Sequence, residues 1–223
     1  LTSEHALPAP STRTGGVAGS IPTRGSRDGA RRAFLAAAVR RPGRIGAVYP
    51  SSPQLAGALA SVVPSHGRPT VVELGPGTGS VSAVIADRLP AGSRHLAVEL
   101  DPGMAAYLRR TQPGMEVVDG DAKELTTLLA DRSAHEVDAV VSGLPWSLFG
   151  EAGQQAILDQ VGRAIGGGGA FATFAYTHTL PMSTARRFRR LLHTSFDEVV
   201  ISRTVWRNLP PAYVYVCRRP RTA

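Results

Sequence analysis

Apolar and polar positions alternate along this chain in two rhythms. Short runs rich in Val, Ile, Ala and aromatic residues predict strands at Thr70–Leu74, His95–Leu100, Met115–Val118, Val137–Ser142, Ala170–Tyr176, Glu198–Thr204 and Ala212–Cys217. Between them, apolar residues spaced three and four apart predict helices over Val81–Arg88, Pro102–Arg110, Ala122–Ala130, Ala152–Ile165 and Met182–His193. Strand and helix thus alternate until two strands close the chain. Such an order implies an α/β fold: a seven-stranded doubly wound sheet, mostly parallel, with a C-terminal antiparallel hairpin and helices on both faces. No internal repeat of solenoid length is visible.

Upstream of the first strand the pattern weakens. A helix is expected from Ser51 or Ser52, with Pro53 suited to its first turn and Leu55, Leu59 and Val62 along one side. Arg27–Arg41 predicts another, although Arg31 falls inside the stripe made by Phe34, Leu35, Ala38 and Val39. Residues 1–26 are rich in Ser, Thr, Pro, Gly and Ala with no apolar period, which predicts disorder. The expected organisation is a tail over 1–26, a helical lid or membrane-contact segment over 27–66, and the α/β domain over 67–223.

Composition narrows the class. A chain of 223 residues suits one domain with its own core. With 43% hydrophobic and 19% charged residues, a mostly disordered chain and a coiled coil are both excluded. Cys217 stands alone, which excludes an internal disulfide and a cysteine-cluster zinc site. No apolar run approaches the ~20 residues of a membrane-spanning helix, and no secretory leader is apparent, so the expected location is cytoplasmic, peripheral on the membrane at most.

Net charge is +8, unevenly placed. Residues 1–50 hold eight arginines against two acids, residues 51–185 eight basic against thirteen acidic, and residues 186–223 nine arginines against two acids. Basic ends flanking an acidic middle argue against a uniformly basic nucleic-acid binder and for a basic patch on an acidic enzyme. Lys123 is the sole lysine, a bias that GC-rich coding also produces. On a helical wheel Arg186, Arg187, Arg189 and Arg190 share an arc of about 160°, opposite Ala185, Phe188, Leu191 and Leu192. That outer face, with Arg31, Arg32, Arg40, Arg41 and Arg44, could meet anionic lipid headgroups or RNA phosphate.

The chemistry centres on Val71-Val72-Glu73-Leu74-Gly75-Pro76-Gly77-Thr78-Gly79, an apolar strand running into a glycine turn that opens a helix. Here a doubly wound sheet lets its backbone approach a nucleotide-like ligand. A carboxylate at Glu73 would repel a pyrophosphate but suits a cationic ligand. Glu99 closes the next strand about twenty residues on, where an acid accepts two ribose hydroxyls. Together these favour a sulfonium nucleoside over a dinucleotide.

On these residues the chain resembles the class I S-adenosylmethionine-dependent methyltransferases, which share a Rossmann-like sheet. The resemblance implies that Gly75, Gly77 and Gly79 cradle the methionine and ribose portions, and that Glu99 holds the ribose. In Gly120-Asp121-Ala122 it implies that Asp121 accepts from the adenine amino group with Ala122 beside it. Glu73 and Ser142 complete the expected cofactor set, and the implied cofactor is S-adenosyl-L-methionine.

The fourth strand runs out into Val141-Ser142-Gly143-Leu144-Pro145-Trp146. Amine-directed methyltransferases often carry Asn-Leu-Pro-Tyr or Asn/Asp-Pro-Pro-aromatic at this place. Gly143 in place of Asn removes one anchor for a nucleobase. The Ser-Gly-Leu-Pro version is similar to bacterial phospholipid N-methyltransferases, relatives of the ribosomal RNA adenine dimethyltransferases. Ile45–Ser52, Phe174-Ala175-Tyr176 and Asn208–Ala212 fit the same group. The resemblance implies a methyl acceptor among phosphatidylethanolamine and its methylated products. A soluble metabolite is the second candidate acceptor and structured RNA a distant third. Tyr49, Trp146, Tyr176 and Trp206 are candidate aromatic faces for the growing ammonium charge, and His178 a candidate proton acceptor. Glu136 and Asp138, at the start of the fourth strand, are expected at the far end of the sheet.

Overall fold

The computed structural model describes residues 51–221. The expected tail over 1–26, the helix over 27–41 and Tyr49 lie outside the described residues. Ser52 caps the first helix, α1 (Pro53–Leu59), its hydroxyl accepting from the Leu55 N–H, and Pro53 occupies the first turn. A 3₁₀ turn, Ala60–Val62, extends it. Then follow β1 (Thr70–Leu74), α2 (Ser80–Arg88), β2 (Arg94–Glu99), α3 (Pro102–Thr111), β3 (Glu116–Asp119), α4 (Leu125–Ala130) and β4 (Val137–Ser142). The chain ends with α5 (Glu151–Ala164), β5 (Ile165–Tyr176), α6 (Ser183–Ser195), β6 (Phe196–Ile201) and β7 (Ala212–Pro220).

The seven strands form one sheet in the order β3-β2-β1-β4-β5-β7-β6. Pairing is parallel from β3 through β5, and β7 runs antiparallel between β5 and β6. The order reverses between β1 and β4. This switch point leaves a crevice at the C-terminal strand ends, where the connecting loops diverge to opposite faces.

Alternating side chains sort into two layers. Val72, Leu74, Val140, Phe171 and Tyr215 pack beneath α4, α5 and α6, while Val71, Ala139, Val141, Ala172 and Val214 pack beneath α1 and α2. Leu55 and Leu59 are fully buried in the second layer, so residues 53–63 belong to the domain core rather than to a separate lid. Pro53 and the Ser52 cap start the helix, and its apolar side is drawn onto the sheet.

β6 (Phe196–Ile201) begins two residues earlier and ends three earlier than predicted, β7 runs three residues further, and two larger differences have a physical reason. β5 begins at Ile165, five residues before the predicted Ala170, because Gly166–Gly169 carry the strand across a register shift opposite Val137 and Ala139. A Cβ at Gly169 would lie 2.9 Å from the carbonyl oxygens of Val137 and Asp138, so glycine permits this close pairing while hiding the strand signal. The predicted helix over Ala122–Ala130 splits into a 3₁₀ turn (Ala122–Glu124) and α4.

Candidate active site

The glycine turn after β1 is a cradle that only glycine builds without strain. Gly75, Gly77 and Gly79 have φ of +65°, +56° and +83°, the left-handed region that costs other residues. The Gly75 N–H donates to the Val98 carbonyl at 2.9 Å, tying the loop to β2. A Cβ at Gly77 would meet no protein atom within 4 Å, so the space above this backbone is open to a ligand.

Glu99 faces that space from the end of β2. Its carboxylate accepts the Asp101 N–H at 2.9 Å and the Gly77 N–H at 3.4 Å, binding the loop to the second strand. The side chain is buried. Burial pushes its carboxyl above the ordinary 4.5, and the two N–H donors pull the other way. An open glycine cradle beside a buried carboxylate fits a ribose with two neighbouring hydroxyls. After β3, Asp121 caps the turn Ala122–Glu124 by accepting the Lys123 N–H at 3.1 Å.

Glu73 has a partner inside the sheet. One turn of the pleat before the loop, it sits buried and 3.2 Å from Nε2 of His95, itself buried on β2. The structure therefore gives this carboxylate an internal partner that the sequence reading missed, since a lone histidine at the start of a strand carries no motif.

Across the switch point, the loop after β4 touches the cradle directly. The Gly143 N–H donates to the Leu74 carbonyl at 2.8 Å. A Cβ on Gly143 would lie 2.6 Å from the Gly75 carbonyl oxygen, and one on Gly75 would lie 2.8 Å from Cδ2 of Leu144. Glycine at 143 is thus enforced by its backbone neighbour, and an asparagine has no room on this path. Ser142, fully buried, accepts the Leu144 N–H at 3.3 Å and shapes the same turn.

Beyond Leu144 opens a cavity of about 230 Å³. Leu144, Pro145, Trp146 and Leu148 form one wall, Tyr176 at the end of β5 and His178 of the following loop another, and Met182 capping α6, Ala185 and Phe188 of α6, and Tyr213 and Tyr215 of β7 the rest. Among the described residues its lining contains no Asp, Glu, Lys or Arg. The Tyr213 and Tyr215 hydroxyls lie 3.2 Å apart, and burial pushes the Tyr215 phenol well above its ordinary range. Cys217, further along β7, is buried with its thiol pushed up to about 12, so it stays protonated and inert as a nucleophile.

The five sequence candidates for the acceptor side fare differently. Tyr176 and His178 meet at the cavity mouth, rings stacked at 5.5 Å, and burial pushes the Tyr176 phenol upward. Trp146 is largely a core residue: its ring stacks on Phe188 at 4.4 Å, and its N–H donates to Thr173 Oγ1 at 2.7 Å. It holds the post-β4 loop in place while lining part of the cavity. Trp206 is not in the cavity wall but 76% exposed on the β6–β7 connection. Tyr49 lies outside the described residues. Asp138, as expected, sits at the far end of the sheet, accepting the Thr70 N–H where β1 begins.

Sequence reasoning missed Thr173, Phe188, Tyr213 and Tyr215. Phe188 was visible on the apolar side of α6, and the alternation of Tyr213 and Tyr215 places both on one face of β7. Which cavity they share depends on β7 inserting between β5 and β6.

Comparison with known proteins agrees with this geometry. A family model described as a methyltransferase domain matches residues 71–169. The chain is 36% identical over 177 residues to an ornithine lipid N-methyltransferase from Singulisphaera acidiphila, covering 78% of this chain and 88% of the relative. Among solved structures, an O-methyltransferase from Bacillus cereus in complex with SAH superposes with a TM-score of 0.63 at 15% identity, covering 89% of this chain and 93% of that one. A SAM-dependent O-methyltransferase from Thermotoga maritima gives 0.60 at 15% identity, with 82% and 72% covered. The structural neighbours establish the shared fold. With the relative's identity and extent added to the glycine cradle and Glu99, the chain belongs to the class I S-adenosylmethionine-dependent methyltransferases.

Proposed function

We propose that this enzyme N-methylates the amine headgroup of a membrane lipid, phosphatidylethanolamine and its methylated products first, with an ornithine-type aminolipid as the nearest variant. The observation that carries the reading is the cavity beyond Leu144. It adjoins the cofactor cradle, its walls are mostly apolar or aromatic with Ser147, Thr179 and His178 as the polar exceptions, and among the described residues it has no carboxylate or lysine to bind a charged metabolite. The aminolipid activity named for the Singulisphaera acidiphila relative supports it.

The cofactor supplies a methyl group on a sulfonium, open to attack by a neutral amine. Gly75, Gly77, Gly79 and Glu99 would hold the ribose and methionine portions, Asp121 and Ala122 would meet the adenine, and Ser142 would shape the edge nearest the acceptor. The chain's task is then positioning, since holding two reactants in line removes much of the barrier. Tyr176 offers a ring face to the ammonium as charge grows on nitrogen, worth ~0.5–2 kcal/mol. His178, exposed at the mouth, takes the released proton to solvent. Glu73 acts through its contact with His95 and the strand leading to the loop.

Ala185 lies on the cavity wall contributed by α6. Phenylalanine there fills the space without touching the glycine cradle. Ala185→Phe is expected to raise KM for vesicle-borne phosphatidylethanolamine at least tenfold, leaving S-adenosylmethionine affinity as in the wild type. Steady-state kinetics with calorimetry for the cofactor measure both. Unchanged KM would place the acceptor elsewhere, and activity on phosphoethanolamine equal to that on the lipid would make the acceptor a soluble amine.

A further inference from the structure

Large apolar side chains rarely stand in water beside one another unless something covers them. Among the described residues, the exposed large apolar side chains are Tyr107, Leu180, Met182, Val200, Ile201, Trp206 and Leu209. Four of these sit in two loops: Leu180 and Met182 after β5, and Trp206 and Leu209 after β6. Because β5 and β6 are both antiparallel to β7, both loops emerge at the sheet end that holds the cofactor cradle. They are also bonded together, the Thr177 N–H and hydroxyl both donating to the Pro211 carbonyl at 2.9 and 3.2 Å.

The β6–β7 loop is built rather than loose. Asn208 is buried, accepts the Ser52 N–H at 2.9 Å and donates to the Pro210 carbonyl at 2.7 Å. The bridge between Val205 and Ala212 narrows the loop's base. On this fixed frame the side chains flanking Asn208 point out: Trp206 is 76% exposed and Leu209 77%.

Charge tells what should cover them. Arg203 and Arg207 flank Trp206 and are exposed, and the exposed Arg186 donates to the Pro181 carbonyl at 2.7 Å, beside Leu180 and Met182. Neither 176–196 nor 199–221 contains an acidic residue. An amphipathic indole, aliphatic side chains and a carboxylate-free ring of arginines match the interface of an anionic bilayer.

We infer that the paired loops 177–182 and 202–211 form the membrane-docking surface of this enzyme, with Trp206 and Leu209 entering the headgroup layer and Arg186, Arg203 and Arg207 meeting anionic lipid. The inference deepens the lipid-acceptor reading and rests on it for its purpose. Docking through these loops sets the cavity mouth at Tyr176 and His178 against the membrane, so a headgroup reaches the cradle without its lipid leaving the bilayer.

The test uses the full chain and vesicles of phosphatidylglycerol with phosphatidylcholine, which contain no methyl-accepting amine. The wild type is expected to co-float with them, and acyl-chain-brominated lipid to quench its tryptophan emission. Trp206→Ser with Leu209→Ser should bind the vesicles at least tenfold more weakly and lose that quenching, since only buried Trp146 remains. Arg203→Gln with Arg207→Gln should weaken binding and flatten its salt dependence. Unaltered cofactor affinity in each variant shows that the fold is intact. The inference is overturned if the wild type does not bind, if Trp206→Ser with Leu209→Ser binds equally well, or if that variant abolishes a self-association of the chain instead. Vesicle binding without lipid methylation would sink the acceptor reading and leave the docking surface standing.

Discussion

Gly143→Ala is expected to lower kcat/KM by about a hundredfold while the protein stays folded. An added Cβ lies 2.6 Å from the Gly75 carbonyl oxygen, which is backbone and has no flexible end to swing aside. Relief requires the post-β4 loop to move away from the glycine cradle, and a displacement of about 1 Å between reactants costs on the order of 10²-fold. Gly143→Asn, which restores the residue of base-methylating enzymes, should be worse and should confer no adenine methylation. Kinetics on lipid vesicles beside thermal unfolding check the outcome. A Gly143→Ala enzyme with wild-type kcat/KM would show that the two loops are not held in register as described.

Replacing Glu99 by glutamine should weaken S-adenosylmethionine binding by about 10- to 100-fold, the range of hydrogen bonds to a charged acceptor at 1.5–3 kcal/mol. The pH dependence separates this role from a structural one. Burial raises the Glu99 carboxyl above 4.5, so the folded protein without cofactor holds that proton more tightly than the unfolded chain. The group's contribution to stability therefore falls as pH rises through the window above 4.5. Cofactor binding should run the opposite way, because in the proposed site the ionised carboxylate would accept both ribose hydroxyls: affinity is expected to drop on acidification, beginning above 4.5. In Glu99→Gln both slopes should vanish, with stability near neutral pH equal to or above that of the wild type. Calorimetric titrations and melting curves across pH read the two effects. An unchanged cofactor affinity would remove Glu99 from the ribose site.

The parts of this protein legible in its sequence are those written by local rules. The strand-turn-helix at Val71–Gly79 declares itself because three left-handed positions demand glycine within five residues. Ser52 and Pro53 mark a helix start through capping chemistry that needs no tertiary context. Glu99 could be placed because a parallel β-α-β unit returns the chain beside its own loop after a fixed length. The rest depends on partners distant in sequence. Glu73 meets His95 through strand pairing 22 residues apart, and nothing in either neighbourhood announces it. The β5 start is hidden in four glycines whose value is the absence of a side chain. Trp146 and Trp206 look alike as lone aromatics, yet one is stacked in the core and the other stands in solvent, because β7 inserts between β5 and β6.

In the proposed function, the cavity beside the glycine cradle presents a lipid amine to S-adenosylmethionine. The most direct measurement incubates the enzyme with methyl-deuterated S-adenosylmethionine and anionic vesicles carrying phosphatidylethanolamine, in parallel with vesicles carrying an ornithine lipid, followed by mass spectrometry of the extracted lipids. Headgroup mass shifts of one, two or three labelled methyl groups are expected on at least one of these aminolipids. Unlabelled lipids from an enzyme that binds the cofactor in the same sample would contradict the proposed function.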